Sequence, residues 1–169
     1  MSITERPPAS AQADALRSEH ERLGEHAEEI RVAALELPVL APEERRVLVD
    51  RIVSFLSGPF AAYAESEVRA LYPYLDRVLD DPHASAGMRY DLEAVRQLTD
   101  RLREADVRNT PGLQELLYGV HAIITLHLRK EDDLYLPRLA QERPAQLEHV
   151  LRAMREVRFE HDHPARGDL

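Results

Sequence analysis

Apolar positions keep a helical rhythm from the first part of the chain: Leu16, Leu23, Ile30 and Leu37 recur every seven residues with charged residues between them. That spacing puts them on one face of an amphipathic helix starting near Asp14. Pro38 and Pro42 close this helix and open the next, Pro42 being well placed at a helix start. The second helix is expected over about residues 43–79, with a kink at Gly58-Pro59. The run DDPHASAG is a turn, and a third helix follows over about 88–104. VRNTPG breaks the chain again, and Thr110-Pro111 has the cap-then-proline form of a helix start. The fourth helix then runs to about Tyr135, and a shorter fifth covers about 144–159.

Four long helices joined by short or modest loops predict an all-α fold: an up-down-up-down four-helix bundle with a short fifth C-terminal helix. Residues 1–13, polar and rich in Pro and Ala, read as a disordered lead-in. Residues 14–159 form the expected bundle, and 160–169 a flexible tail.

Composition agrees and narrows the chemistry. The 169 residues suffice for one domain, and 6 glycines with 5% aromatics favour helix over strand. There is no cysteine, which removes disulfides, iron–sulfur clusters, thiolate zinc and thiol catalysis together. The formal net charge is −9, and Lys130 is the only lysine. So acidic a chain is a poor partner for nucleic acid, whose binding rests on neutralising phosphates. No run of about 18 apolar residues stands out to span a membrane, and the N-terminus lacks the basic and apolar parts of a signal peptide. The expectation is a cytoplasmic protein with no nucleic-acid or membrane partner.

The chain also echoes itself. SEHERL near the start of the first helix resembles YDLEAV near the start of the third, and FAAYAESEVRALYPYL resembles ITLHLRKEDDLYLPRL. Laid together, Tyr63 falls on His127, Glu67 on Glu131, Pro73 on Pro137, and His20 on Leu92. Such a repeat lets a bundle surround a central site with matching groups.

His127 and Glu131 are four residues apart and project from one helix face. They share it with Leu113, Leu116, Val120, Ile123 and Leu134, which points them inward. A buried carboxylate needs a partner, and a metal ion is one. The EDD run and Arg129-Lys130 equally fit an exposed His–Glu pair, so spacing alone leaves both readings open. Tyr63 and Glu67 repeat the geometry on the second helix. A phenolate is a hard oxygen donor that suits ferric iron better than zinc or magnesium. A core aromatic and a solvated charge are the plainer alternatives. His20 shares a face with Leu16 and Leu23, where a lone histidine is more often a satisfied core residue than a ligand.

With these residues in place, the run HLRKEDDLYLP from His127 to Pro137 resembles the H-x-x-x-E signature of the hemerythrin-like, HHE cation-binding family. EHERL around His20 matches that family's first helix, and the resemblance spans about residues 16–139. It implies a non-haem iron centre, ferric, of one or two ions with an oxo, hydroxo or water bridge. The implied metal ligands are His20, Tyr63, Glu67, His127 and Glu131, with both carboxylates bridging. No catalytic residue is assigned. Two departures stand out: Tyr63 replaces the second-helix histidine of the family, and Leu92 replaces that of the third helix. Tyr90, Asp91 and Glu93 are each at least about 100° of helix rotation from Leu92. One ion is therefore short of a protein ligand, unless the site holds a single metal or none.

His26 and His121 lie six residues from His20 and His127, about 9 Å along their helices. They read as boundary histidines or, alternatively, as outer groups facing each other and standing in for the missing ligand. His83 and His149 say little, and the H-D-H of His161 and His163 is weak evidence of anything.

The resemblance implies action on dioxygen, hydrogen peroxide or nitric oxide, as a monomer or homodimer. A phenolate favours the ferric state, so catalase-like or peroxide-sensing behaviour is expected before reversible oxygenation. Two other expectations stay open: a non-enzymatic module that binds or stores iron or a diatomic gas, and a metal-free degenerate bundle.

Overall fold

The computed structural model describes residues 11–163, which places the sequence expectations for 1–10 and 164–169 outside the described residues. Five helical rods follow one another: α1 (Ala11–Glu36), α2 (Pro42–Val78), α3 (Ala86–Glu104), α4 (residues 110–139) and α5 (Pro144–Asp162). No strand occurs among the described residues. α1 begins before the expected Asp14, and Ala13 in its first turn is buried. A 3-10 turn at Leu37–Val39 joins α1 to α2. Pro42 opens α2, where the Glu44 side chain accepts a hydrogen bond from the Ala41 backbone N–H; that satisfies one of the donors a helix start leaves free. Asn109 caps α4 by accepting from the Gly112 backbone N–H at 3.2 Å.

α1 packs on α4, α4 on α3, and α3 on α2. The expected heptad of Leu16, Leu23, Ile30 and Leu37 is buried in full. α5 lies against the middle of α2 and against α1, burying Leu147, Val150, Leu151, Met154 and Val157. It spans 19 residues, as many as α3, so it is a full member of the bundle rather than a short appendage. α2 is also long and apolar enough to cross a membrane by length and composition, contrary to the sequence expectation. The core helix of a packed bundle meets the same test, and α2 contributes Leu56, Phe60, Tyr63, Leu71, Tyr72 and Leu75 to the common core.

At the expected kink of Gly58-Pro59 stands a π turn, Leu56–Phe60, through which α2 continues. Two further π turns follow, at Glu67–Leu71 in α2 and Glu131–Tyr135 in α4. Their hydrogen bonds reach back five residues, from the Tyr72 N–H to the Glu67 carbonyl and from the Leu136 N–H to the Glu131 carbonyl. The extra residue shifts the helical register, and one sequence expectation falls to it. Leu134, placed on the inward stripe by simple periodicity, is 61% exposed, and Leu136 takes the buried position.

Candidate metal centre

His20, Tyr63, Glu67, His127 and Glu131 come together from three helices, each between 0% and 4% exposed. α1 supplies His20, α2 supplies Tyr63 and Glu67 a turn apart, and α4 supplies His127 and Glu131 a turn apart. The four-residue spacing places each α2 and α4 pair on one inward face. His20 Nε2 lies 2.8 Å from Tyr63 Oη and 3.2 Å from Glu131 Oε2. His127 Nε2 lies 3.4 Å from Glu67 Oε2 and 3.8 Å from Glu131 Oε1. His20, Glu67 and Glu131 each offer a ligand atom, all within 4.8 Å of one another.

Three residues that the sequence reading did not assign complete the arrangement. Asp132 Oδ1 accepts from His20 Nδ1 at 2.7 Å, and Asp91 Oδ2 faces His127 Nδ1 at 3.3 Å while also binding the Lys130 ammonium. Each histidine thus has an aspartate behind it and turns Nε2 to the centre. A carboxylate at one ring nitrogen fixes the tautomer and raises the basicity of the other, the arrangement expected of metal-ligating histidines. The third is Tyr72, fully buried, whose hydroxyl lies 3.1 Å from Glu67 Oε2, 3.2 Å from Glu131 Oε1 and 3.3 Å from His127 Nε2. Leu92, at the position where the family carries a histidine, is buried but contributes no donor. Its neighbour Asp91 reaches the far side of His127, not the centre.

His26 and His121 lie outside the cluster. His26 is half exposed, pairs with Glu29 at 3.1 Å and packs against the Phe55 ring at 4.5 Å. His121 directs Nδ1 to the Ala27 carbonyl oxygen at 2.9 Å. The two take separate partners rather than facing each other, because each sits about 120° around its helix from the inward histidine.

Burial sets the electrostatics. It pushes the Glu67 carboxyl up to about 7, against hydrogen bonds from Glu131, Tyr63 and Tyr72 and the charge of His20 that pull it down. Burial and the charge of Glu67 push Glu131 to about 7 as well. Burial alone lowers His20, but the hydrogen bond and charge of Glu131, with Asp132 and Glu67, outweigh it and lift the imidazole to about 9. His127 goes the other way, burial pulling it down further than Glu131 and Asp91 raise it. Both phenols are held in the neutral form by burial and by the two nearby carboxylates.

The donor set fits a cation. Glu67 Oε1 is fully buried without a hydrogen-bond partner, and Glu131 Oε2 has only the His20 imidazole beside it, at 3.2 Å. An unsatisfied buried carboxylate oxygen costs on the order of 1–3 kcal/mol or more, and the facing carboxylate of Glu131 adds repulsion. A multivalent ion between them relieves both, and the all-oxygen-and-imidazole set suits iron or another first-row metal rather than a thiolate-bound one. Beyond the cluster, Arg158 of α5 stands over the Tyr63 ring at 5.7 Å and pairs with Glu19 of α1 at 2.9 Å.

Comparison with curated proteins and with solved structures returned no match. A family model, the hemerythrin HHE cation binding domain, matches residues 11–139, which takes in α1 to α4 with every residue of the cluster and leaves α5 outside. The chain therefore belongs to the hemerythrin HHE cation-binding domain family, and the buried His–Glu–Glu cluster is its candidate metal-binding site.

Proposed function

We propose that the centre holds ferric iron and that the protein acts on hydrogen peroxide or dioxygen, with catalase-like turnover or peroxide sensing as the specific role. The observation that carries this reading is the pairing of a buried phenol with two buried carboxylates around inward-facing imidazoles. His20, Tyr63, Glu67, His127 and Glu131 would hold the iron, and nitric oxide is a further diatomic ligand of the same class. Bound iron would supply one-electron redox chemistry.

The chain's own residues set the terms of that chemistry. On binding a ferric ion Tyr63 would give up its phenol proton, and the anionic oxygen so formed would favour the ferric state over the ferrous one. Asp132 and Asp91 keep the two imidazoles oriented and electron-rich. The wall of α1, α2 and α4 keeps bulk water away from all five groups. The same burial favours a second reading, in which the centre binds or stores iron or a small gas without turnover.

The test starts with aerobically purified protein. A visible phenolate-to-iron absorption band that disappears in Tyr63→Phe is the expected result, together with oxygen evolution on adding peroxide. A coloured protein that leaves peroxide untouched supports the binding or storage reading. Colourless protein with no iron by elemental analysis refutes the iron centre altogether.

A further inference from the structure

The family pattern leaves His127 with an incomplete neighbourhood, since Leu92 brings no donor. The geometry points to Tyr72 as an additional metal ligand, completing around His127 a second ion site that mirrors the one around His20. This rests on the reading of the cluster as an iron centre.

Spacing supports the assignment first. Two donors bound to one ion at about 2.0–2.2 Å and separated by about 90–110° lie about 2.8–3.6 Å apart. Tyr72 Oη stands 3.1, 3.2 and 3.3 Å from Glu67 Oε2, Glu131 Oε1 and His127 Nε2. The His127 contacts to Glu67 and Glu131 are 3.4 and 3.8 Å. Four donor atoms from two helices thus converge at separations that suit a single ion, with one contact slightly long.

Proton counting supports it next. Asp91 faces His127 Nδ1, which leaves Nε2 as an acceptor. The Tyr72 hydroxyl then has one proton for three surrounding acceptors, and only one of them can be well served at a time. A cation in the same place satisfies all of them at once. The alternative, a phenol that donates to one carboxylate at a time, leaves three acceptors sharing a single proton in a fully buried site.

The two halves then match in chemistry. Around His20 stand Tyr63, a glutamate oxygen and Asp132 behind the ring. Around His127 stand Tyr72, glutamate oxygens and Asp91 behind the ring. Glu131 turns Oε2 to the first set and Oε1 to the second, as a bridging carboxylate must. The correspondence is not that of the sequence echo, in which Tyr72 falls on Leu136. It arises because the π turn after Glu67 stacks Tyr72 over that carboxylate.

The experiment is iron per chain by elemental analysis, with the visible spectrum, on the full-length protein and its Tyr72→Phe, Tyr72→His and Tyr63→Phe variants, each checked for helicity by circular dichroism. The expected wild type carries two irons. Tyr72→Phe should keep about one iron and about half of the phenolate band, one phenolate of two being lost. Tyr72→His should restore the second iron but not the lost half of the band, since imidazole ligates without that transition. A Tyr72→Phe protein with both irons and an undiminished band overturns the proposal while leaving the iron centre standing, as does a wild type with a single iron. Should Tyr72→Phe fail to fold, an undiminished band in Tyr72→His overturns it equally. A wild type without iron removes the underlying reading and this one with it.

Discussion

Replacing Glu67 by glutamine separates what this residue does for folding from what it does for binding. The carboxyl is fully buried, and its value rises from the usual 4.5 to about 7. A raised folded-state value means that the group favours folding fully below its unfolded pKa, and that this contribution is lost as pH rises through about 7. The shift corresponds to on the order of 3 kcal/mol between the two ends of that window. The glutamine side chain does not titrate, can still accept from the Tyr72 hydroxyl through its carbonyl, and removes one of two facing negative charges. In protein stripped of metal by a chelator, Glu67→Gln should therefore be more stable than wild type by about 2–3 kcal/mol near pH 8, and nearly equal to it below about pH 5. Urea denaturation followed by circular dichroism measures both differences. Saturating iron should reverse the order, since a ligand present at about a thousandfold its Kd adds about 4.1 kcal/mol to the protein that binds it. A stripped variant that is less stable than wild type near pH 8, or a difference that ignores pH, would refute the claim that Glu67 is a carboxylate held at a cost for a cation.

Two further outcomes follow from the surroundings of the cluster. Asp132→Asn, which weakens the support behind His20 without touching the centre, should lower iron affinity about 10–100-fold with the helical content unchanged; competition against a calibrated chelator reads this directly, and unaltered affinity refutes the supporting role. Met154→Ala in α5, at a side chain with no exposure, should cost about 2–5 kcal/mol in urea denaturation. A loss well under that range would mean that α5 is dispensable to the bundle rather than part of its core.

Helix count and helix faces were legible because, through α1 and most of α4, the chain keeps the ordinary 3.6-residue period, and burial follows it at Leu16, Leu23, Ile30, Leu113, Leu116 and Val120. The same rule brought His20, Tyr63, Glu67, His127 and Glu131 inward, and the structure joins all five. It misplaced Leu134 and missed Tyr72, both of which lie at or just past a π turn. On an ideal α-helix, residues five apart point about 140° away from each other, so nothing in periodicity links Tyr72 to Glu67. Asp132 and Asp91 escaped for another reason. Asp132 sits in a charged run that reads as solvated surface and Asp91 lies about 100° around its helix from Leu92, and only the tertiary placement of α1 and α3 against α4 shows which of several carboxylates meets an imidazole. The closeness of Asp132 to Glu131 in sequence was a signal, but an ambiguous one.

The prolines explain why the register breaks where it does. Pro59 lies inside the first π turn, and Pro73 and Pro137 stand two residues past the ends of the second and third. A proline has no N–H to offer the carbonyl four residues earlier and crowds it, so an uninterrupted α ladder through these points is disfavoured. A π turn relieves this by passing the Tyr72 and Leu136 N–H groups to carbonyls five residues back. Those carbonyls belong to Glu67 and Glu131, the two carboxylate residues of the cluster. The sequence echo therefore repeats more than a ligand pair: it repeats a carboxylate at the first position of a π turn with a proline behind it. What the echo does not repeat is the residue five positions on, a tyrosine in α2 and a leucine in α4. At Tyr72 the π turn delivers a hydroxyl onto the carboxylate beneath it, whereas at Leu136 it delivers a buried methyl-bearing side chain. One backbone device, used twice, thus yields one polar contact and one apolar wall. The polar contact stands beside His127, on the side of the centre that the leucine at position 92 leaves without a family ligand.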